Sequence, residues 1–307
     1  MISVIFPVKN EEENVEELHR LTKAALDDIH EPYEIIFVDD GSTDGTIKKL
    51  HTLSPITIIE FARNYGQSSA LDAGIHMAQG DIVVIMDGDL QTDPLDIAPM
   101  FLKLREGYDA VVGWRKDRKD SLGRWLFSRF ANFLARRILG VYFHDYACPI
   151  KMFRKEYMKG ARLYGEMHVF LGAILVLRGA RVAEIPVRHY ERMHGISKHT
   201  FIKGAKDVAD LLTIKFLMST SRPLVFFGGF GLASFGIGFL AALWALILKL
   251  MGLRNFAQTP LPVVVSLFFV LGVLLIMLGF LSEIMLRSYY EGRRDTHYII
   301  RKVFEKK

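Results

Sequence analysis

The sequence of 307 residues lacks the motifs of several common enzyme classes. No GxGxxG loop follows its first strand-like run and no GxxxxGKS/T motif occurs, which argues against dinucleotide-binding and P-loop chemistry. It has a single cysteine, Cys148, which cannot form an intramolecular disulfide. We expect Cys148 to be structural rather than nucleophilic. Residues 2–6 form an apolar run directly after Met1, so we also expect no signal peptide and a cytosolic N-terminal part.

Charged residues are absent from two long stretches, 224–248 and 261–282. Each stretch exceeds the roughly 20 residues that an α-helix needs to cross the hydrocarbon of a bilayer. The mean hydropathy of the chain is +0.21 although 24% of its residues are charged, so apolar residues are concentrated in these stretches. The sequence predicts two transmembrane helices within residues 223–286. Two buried helices of a globular core are the alternative, but such helices are usually shorter and carry polar positions.

Small residues recur on both predicted spans, where they would allow close helix contact. They are Gly229, Ala233, Ser234 and Gly238 on the first span, and Gly272 and Gly279 on the second. The contact could pack the two helices of one chain, or it could join copies of the chain into a homo-oligomer. Both alternatives are open.

Basic residues are distributed unequally around the two spans. Lys249 and Arg254 lie in the short connection, whereas a cluster of basic residues follows the second span. By the positive-inside rule, both termini should face the cytoplasm. We therefore expect an integral protein of the inner, cytoplasmic membrane, with the large N-terminal part and a basic tail at 287–307 on the cytosolic side.

The formal net charge of +5 is compatible with nucleic acid, an acidic membrane surface or phosphorylated substrates as partners. Basic and apolar residues interleave in two segments, a pattern typical of helices that lie in the membrane interface. We predict an interfacial helix at about 121–140 and a juxtamembrane amphipathic helix at 201–222. An ordinary surface helix is the alternative for the first segment. The positions of the charges favour membrane and phosphate over nucleic acid.

Apolar, strand-like runs alternate with helix-compatible segments in the first part of the chain. The runs lie at 2–8, 33–38, 56–61 and 82–86. This alternation predicts an α/β domain over residues 1–200, with a mostly parallel sheet and helices on both faces. Polar clusters follow three of the runs, at 9–12, 39–45 and 87–91. Because ligands bind at the carboxyl ends of such strands, we expect these clusters to form one site.

Asp87 and Asp89 are separated by one glycine at a predicted strand end. Two carboxylates in such a turn can present oxygens to one hard divalent cation, and Gln91 and Asp93 add further oxygens nearby. We expect magnesium or manganese bound together with a substrate diphosphate, because magnesium is usually held by few protein ligands plus phosphates. An ordinary acidic turn is the alternative, since aspartate and glycine both favour turns.

Asp39 and Asp40 end the second strand-like run. The segment could form a turn and helix cap, with Ser42 or Thr43 as the capping residue. Its carboxylates could also accept hydrogen bonds from the ribose or base of a nucleotide. We expect both roles.

Four motifs occur in a specific order in the first 91 residues. They are FPVKNEE at 6–12, VDDGSTD at 38–44, RNYGQ at 63–67 and MDGDLQ at 86–91. Together they resemble the family 2, GT-A-type inverting glycosyltransferases and, more narrowly, the polyprenyl-phosphate glycosyltransferases. The resemblance extends over the whole chain, because residues 115, 128–132, 145–148 and 192–198 also follow the pattern of that group. It implies a GT-A, Rossmann-like domain with magnesium or manganese at Asp87, Asp89 and Gln91. The nucleotide-binding residues it implies are Pro7, Asn10, Glu11, Asp39 and Asp40.

Two motifs of the wider family are missing from the sequence: a Glu-Asp pair that acts as base, and a later QxxRW. A sugar hydroxyl must be deprotonated to attack, whereas a phosphate monoester, with a second pKa near about 6, is already an anion. The sequence therefore fits a lipid phosphate acceptor, which needs cations to position it. Arg115 is a candidate catalytic cation. The predicted acceptor-phosphate residues are Arg129, Asn132, Arg192, Ser197 and Lys198.

Four further residues could act as a base or orient the reactants: Asp145, Glu166, His168 and His189. Asp145 ranks first because it lies in a motif of the resembled group. The predicted catalytic residues are therefore Asp87, Asp89, Asp145 and Arg115.

The function hypothesis is inverting transfer of a hexose from a UDP-sugar, UDP-glucose or a related one, to polyprenyl phosphate on the cytosolic membrane face. A GDP-sugar is an alternative donor. A processive polysaccharide synthase of the same fold is the nearest alternative enzyme, and the absent QxxRW and the two spans count against it. A non-catalytic membrane protein that binds nucleotide-sugar is the alternative from another class.

Overall fold

A computed structural model describes residues 1–116, 132–133, 135–190, 213–214 and 223–293. The chain divides into two compact units. The first covers Met1–Lys215 together with Tyr298–Lys307, and the second covers Phe216–His297. Within the described residues, the first unit is an α/β domain and the second is a pair of long helices.

The α/β unit is built on a seven-stranded sheet. Its strands are β1 (Ile2–Val8), β2 (Tyr33–Asp39), β3 (Thr57–Glu60), β4 (Ile82–Ile85), β5 (Ala110–Trp114), β6 (Lys151–Arg154) and β7 (Val182–Pro186). They lie in the order β3-β2-β1-β4-β6-β5-β7. β6 runs antiparallel to both of its neighbours, and the other neighbouring strands are parallel. The predicted mostly parallel sheet is confirmed.

Helices connect the strands and follow the sheet. They are α1 (Val15–Asp27), α2 (Thr46–Leu50), α3 (Gln67–Met77), α4 (Ile97–Arg105), α5 (Leu171–Leu177), α6 (Pro223–Leu250) and α7 (Leu261–Arg293). Short 3-10 turns cover Pro94–Asp96, Lys155–Met158, Met167–Phe170 and Phe256–Gln258.

Alternate side chains of β1 pack against helices on opposite faces of the sheet, as the period of two along a strand requires. Phe6 is fully buried in one core cluster with Leu18 of α1 and Ile97 at the start of α4. On the other face, Gly74 of α3 lies so close to Ile5 that a Cβ there would be 2.4 Å from its Cγ2 atom. The sheet is therefore covered on both sides, as predicted from the alternation.

The strand register brings three carboxyl ends together. Val8 pairs with Asp39 of β2, and Ile5 pairs with Ile85 of β4. The loop after β4 passes directly over the end of β1, since a Cβ on Gly88 would lie 2.8 Å from Val8 Cγ1. The polar clusters that follow β1, β2 and β4 thus share one edge of the sheet, as the sequence predicted.

The second unit consists of α6 and α7, two helices that follow one another in the sequence. Each is long and apolar enough to cross a membrane. Their most apolar windows have mean hydropathies of 2.1 and 3.0, and most of the residues in those windows are exposed. Such exposure is unlike that of helices in a soluble core. The two apolar helices predicted from the sequence are confirmed.

Small residues pack α6 against α7. A Cβ on Gly231 would lie 2.9 Å from the Gly272 carbonyl oxygen, and one on Gly238 would lie 2.9 Å from a ring carbon of Phe269. Ser234 donates a hydrogen bond to the Phe268 carbonyl at 2.8 Å. Packing between the two helices of one chain therefore accounts for the small residues Ser234, Gly238, Gly272 and Gly279. It does not account for Gly229, because a Cβ built there would contact no atom of the other helix within 4 Å.

The predicted amphipathic segments are described only in part. Residues 132–133, 135–139 and 213–214 are helical, and the remainder of 117–131 and 191–222 lies outside the described residues. α7 continues to Arg293, so the first residues of the predicted tail are helical. The predicted domain boundaries stay predictions.

Candidate functional site

The loop after β1 is fastened to the loop after β2. Asn10 has φ +55°, a left-handed conformation that asparagine tolerates better than most residues. Its N–H donates to Ser42 Oγ at 2.9 Å, and the Thr43 N–H donates back to Asn10 Oδ1 at 2.8 Å. The Glu11 N–H donates to Thr46 Oγ1 at 2.9 Å. The predicted nucleotide-binding residues of this segment are Pro7, Asn10 and Glu11, and all three lie at the shared edge.

Asp39 and Asp40 are buried at the end of β2 and order the surrounding loops. Asp39 accepts a hydrogen bond from the Ser42 N–H at 3.0 Å and another from the Ser42 hydroxyl. Asp40 accepts from the N–H groups of Tyr65 and Gly66, at 2.6 and 3.0 Å. Asp39 therefore holds the turn after β2, and Asp40 holds the loop after β3. The predicted cap at Ser42 or Thr43 is wrong, because the residue at the N-cap of α2 is Gly45. Contact of the two carboxylates with a nucleotide stays a prediction.

Gly41 allows the loops after β2 and β3 to meet. It has φ +69°, and a Cβ there would lie 2.7 Å from the Arg63 carbonyl carbon. Any side chain at this position would both strain the backbone and displace the neighbouring chain. The loop after β3 presents the Arg63 guanidinium 4.8 Å from the centre of the Tyr65 ring, which is 52% exposed.

Asp87 and Asp89 follow β4 at the same edge. Gln67, the first residue of α3, donates from Nε2 to Asp87 Oδ1 at 2.6 Å. Burial, with repulsion from Asp89, raises the pKa of Asp87 to about 6. A cation bound between Asp87 and Asp89 would reduce the repulsion between the two carboxylates and favour their ionised forms.

The turn after Asp89 has an unusual backbone. Leu90 has φ +58°, which is uncommon for a bulky residue. The Gln91 N–H donates to Asp89 Oδ1 at 3.2 Å. The Tyr190 N–H donates to the Gln91 carbonyl at 2.9 Å, and Gln91 Nε2 donates to the Tyr190 carbonyl at 3.3 Å. Asp89 and Gln91, both predicted metal ligands, therefore lie on one fixed turn.

The acidic pair fits a magnesium or manganese ion. Among the residues that the structure describes, no three histidine, cysteine, aspartate or glutamate side chains form a metal-binding group. Magnesium commonly uses one or two carboxylates and completes its shell with water and substrate phosphates. Asp87 and Asp89 therefore match a metal bound together with a diphosphate, and Gln91 stays the predicted third ligand.

A buried lysine lies beside the acidic pair. Lys151 of β6 is 3% exposed and donates from Nζ to the Cys148 carbonyl at 2.5 Å. Burial lowers the pKa of Lys151, while its charge favours the ionised form of Asp87. Burial also raises the pKa of the Cys148 thiol to about 12, so the thiol stays neutral. This state fits the structural role predicted for Cys148.

Arg115 and Asp145 form a bidentate ion pair. Arg115 Nε lies 2.6 Å from Asp145 Oδ2, and Nη2 lies 2.9 Å from Oδ1. Glu184 of β7 accepts from the N–H groups of His144 and Asp145 at 2.9 and 3.2 Å, and the His144 ring stacks on Trp114 with 4.3 Å between ring centres. Because both oxygens of Asp145 are engaged by Arg115, the geometry favours an orienting role over a base role for Asp145.

The structure describes some of the remaining candidate residues and not others. His168 Nδ1 lies 2.8 Å from Ser68 Oγ, and its Nε2 lies 3.9 Å from Glu166, so His168 and Glu166 anchor the first turn of α3. Asn132 donates to the His144 carbonyl at 2.9 Å, next to Asp145. The predicted acceptor residues Arg129, Arg192, Ser197 and Lys198 lie outside the described residues.

Comparison with known proteins identifies the family. The model of "Glycosyl transferase family 2" matches residues 3–160. The chain belongs to this family. The glycosyltransferase is 38% identical over 317 residues to dodecaprenyl-phosphate galacturonate synthase of Rhizobium johnstonii, covering 99% of this chain and 93% of the relative. It is 33% identical over 309 residues to undecaprenyl-phosphate 4-deoxy-4-formamido-L-arabinose transferase of Pseudomonas aeruginosa, covering 99% and 90%. The predicted resemblance to polyprenyl-phosphate glycosyltransferases is confirmed.

Solved structures show the same fold. Glucosyl-3-phosphoglycerate synthase from Mycobacterium tuberculosis in complex with UDP has a TM-score of 0.53 at 21% identity, over 70% of this chain and 80% of that chain. Its complex with Mn2+, UDP and glucosyl-3-phosphoglycerate has a TM-score of 0.52 at 22% identity, over 70% and 79%. The GT-A fold predicted for the glycosyltransferase is confirmed.

Three site residues of the glycosyltransferase were missed in the sequence. Gln67 lies within a recognised motif, which was a usable signal, but its contact with Asp87 spans 20 positions. Lys151, a single lysine that begins the short strand β6, was a weaker signal. Glu184 gave none, because its contacts with residues 144 and 145 depend on how β7 is placed.

Proposed function

We propose that the protein transfers a sugar from a UDP-sugar to the phosphate of a polyprenyl lipid, with inversion at the anomeric carbon. The observation that carries the proposal is the acidic pair Asp87 and Asp89, with the Arg115 guanidinium held by Asp145 and the buried Lys151 amine both acting on Asp87. This arrangement suits a reaction in which a phosphate oxygen attacks a sugar carbon and a diphosphate leaves, because both substrates carry negative charge at the site. The 38% identity over 99% of the chain to an enzyme named for a dodecaprenyl phosphate supports the lipid acceptor.

The donor would bind at the edge formed by β1, β2 and β4. Pro7, Asn10, Glu11, Asp39 and Asp40 are the proposed nucleotide-binding residues. Magnesium or manganese, held by Asp87, Asp89 and Gln91, would stabilise negative charge on the departing diphosphate. The related fold solved with Mn2+ and UDP supports this assignment. The named relatives use galacturonate and a formamido-arabinose, so UDP-galacturonate joins UDP-glucose among the proposed donors.

The acceptor needs to be positioned rather than deprotonated. A phosphate monoester is an anion near neutral pH, and its oxygen can attack the anomeric carbon directly as the bond to the UDP oxygen breaks. The electron pair of that bond leaves with UDP. Among the residues that the structure describes, we assign Arg115, which is held by Asp145, as the cation that positions the acceptor phosphate. Guanidinium groups can bind phosphate through two parallel hydrogen bonds. The predicted acceptor residues Arg129, Asn132, Arg192, Ser197 and Lys198 complete the proposal.

The two apolar helices would hold the catalytic unit at the surface that contains its lipid. The basic residues after α7, against two in the connection before it, support a cytosolic position for both termini. The sugar would then be added on the cytosolic face of the membrane.

A panel of donors tests the proposed function. Membranes that contain the protein are incubated with labelled UDP-glucose, UDP-galacturonate and GDP-mannose plus polyprenyl phosphate, with and without a chelator, and the lipid is extracted. We expect one UDP-sugar to label the lipid in a chelator-sensitive manner. Label in a polymer would instead indicate a processive synthase, and donor binding without any transfer would indicate a non-catalytic protein.

A further inference from the structure

The segment after β7 is joined to the acidic loop by main-chain and side-chain contacts. His189 and Thr92 form an antiparallel bridge, and Tyr190 makes the two contacts with Gln91 described above. The Tyr190 hydroxyl also donates to Asp93 Oδ2 at 3.1 Å. The loop that carries Asp89 and Gln91 thus has a second strand-like segment along one side.

Arg188, which follows β7, binds two aspartates that follow the acidic loop, Asp93 and Asp96. Its N–H and Nε donate to the two oxygens of Asp96 at 2.8 and 3.0 Å, and its Nη1 lies 3.0 Å from Asp93 Oδ2. The carboxylate side chains are largely buried, with 11% and 7% of Asp93 and Asp96 exposed. Asp93 also accepts from the Leu95 N–H at 2.9 Å, which caps the helical turn after the loop.

One cation therefore balances two neighbouring carboxylates at the base of the acidic loop. Removing it would leave both carboxylates buried and close together, which is costly because buried charges need a partner. The loop has little tolerance for such a change, since Leu90 is held at φ +58°. A strained backbone conformation persists only where the surrounding contacts over-determine it.

We propose that Arg188 is a positioning residue for the donor site. By joining the end of β7 to Asp93 and Asp96, it keeps the turn at residues 89–91 in the conformation that presents Asp89 and Gln91 to a diphosphate and its metal. The proposal rests on the proposed function in so far as the site binds UDP together with a divalent metal.

Arg181 provides a matched control at the other end of the same strand. It lies directly before β7, and its N–H and Nε both bond to the buried Asp109, at 2.9 and 3.2 Å. Its side chain is 57% exposed, against 47% for Arg188. Arg181→Met therefore breaks a comparable ion pair without touching the acidic loop.

The test measures binding rather than turnover. The dissociation constant of Mn2+ in the presence of UDP is determined for the full chain in detergent, by electron paramagnetic resonance of free Mn2+. We expect Arg188→Met to raise it by roughly tenfold or more, as removal of outer-shell partners of a metal site commonly does. Arg181→Met should leave it within about twofold. Equal effects of the two variants, or no effect of either, would overturn the proposal.

A conservative pair covers the case in which Arg188→Met does not fold. Arg188→Lys keeps the charge but loses the two-pronged contact, and it should weaken Mn2+ binding severalfold while Arg181→Lys does not. If the wild-type protein binds no Mn2+ with UDP, this proposal fails outright. If it binds both but transfers no sugar to polyprenyl phosphate, the proposed function fails and the role of Arg188 stands.

Discussion

Asp87 has a charge state that depends on its folded surroundings. It is partly buried, lies near Asp89 and receives a hydrogen bond from Gln67. Its pKa of about 6 means that the carboxyl is mostly ionised at neutral pH and protonated in mild acid. A metal ligand must be deprotonated to bind, so a proton and a metal ion compete for this side chain.

The first prediction concerns pH. Below pH 6 the affinity for Mn2+ with UDP should fall by about tenfold per pH unit, because binding then displaces one proton from Asp87. Above pH 7 the affinity should be nearly constant with respect to this group. Asp87→Asn should lose most of the affinity and reduce the dependence near pH 6 to that of UDP itself, whose terminal phosphate also has a pKa of about 6. An affinity that is flat between pH 7.5 and pH 5 would contradict the role given to Asp87.

The second prediction concerns Lys151. Its positive charge lowers the pKa of Asp87, so Lys151→Met should shift the onset of the acid loss in Mn2+ binding to higher pH. Lys155→Met is the control, since Lys155 follows β6 and donates to the main-chain carbonyl of Ala78, away from the acidic pair. Titration of Mn2+ binding between pH 5 and pH 8 checks both variants. An unchanged midpoint in Lys151→Met would exclude the electrostatic contact.

At the scale of elements, the first four strands and the shared edge were predictable because they depend on local patterns, whereas β5, β6 and β7 were not predicted. The apolar runs and the polar residues after them, such as Asp39 and Asp87, are contiguous in sequence. The insertion of the antiparallel strand β6 between β4 and β5 was not predictable in this way. Contacts such as that of Arg115 with Asp145 join residues 30 positions apart and follow from that insertion.

The third prediction concerns the packing of α6 against α7. Gly231→Val should destabilise the helix pair by about 1–3 kcal/mol, as overpacking commonly does, because a Cβ there would lie 2.7 Å from Ile276 Cγ1. Gly236→Val changes the same residue type on the same helix, where nothing lies within 4 Å of the Cβ position. Thermal unfolding in detergent should separate the two variants. Equal losses would show that the glycine acts through helix propensity alone.

The whole molecule combines a GT-A unit with two apolar helices, and the two named relatives align with 99% of this chain, so the similarity extends over both parts. The membrane helices were predictable from hydropathy alone, since spanning length and absence of charge are local properties. Which side the termini face depends on the distribution of basic residues and stays a prediction.

The fourth prediction tests this orientation by cysteine labelling. Cys148 is fully buried, so the wild-type chain should give little background with a membrane-impermeant maleimide. Gln258→Cys, in the connection between the spans, should be labelled from the outside of sealed right-side-out vesicles. Lys306→Cys, in the tail, should be labelled only after permeabilisation. The reverse pattern would place the catalytic unit on the wrong side for the proposed cytosolic reaction.

The most direct test of the central claim compares two acceptors that differ only in the phosphate. Purified protein is given one active UDP-sugar with either polyprenyl phosphate or the corresponding polyprenol, and the lipid product is identified by mass. We predict a polyprenyl-phosphate sugar from the first, no product from the second, and loss of activity in Asp89→Ala but not in the exposed Asp81→Ala. Equal transfer to polyprenol, or no transfer to polyprenyl phosphate from any UDP-sugar, would contradict the assignment of a lipid phosphate as acceptor.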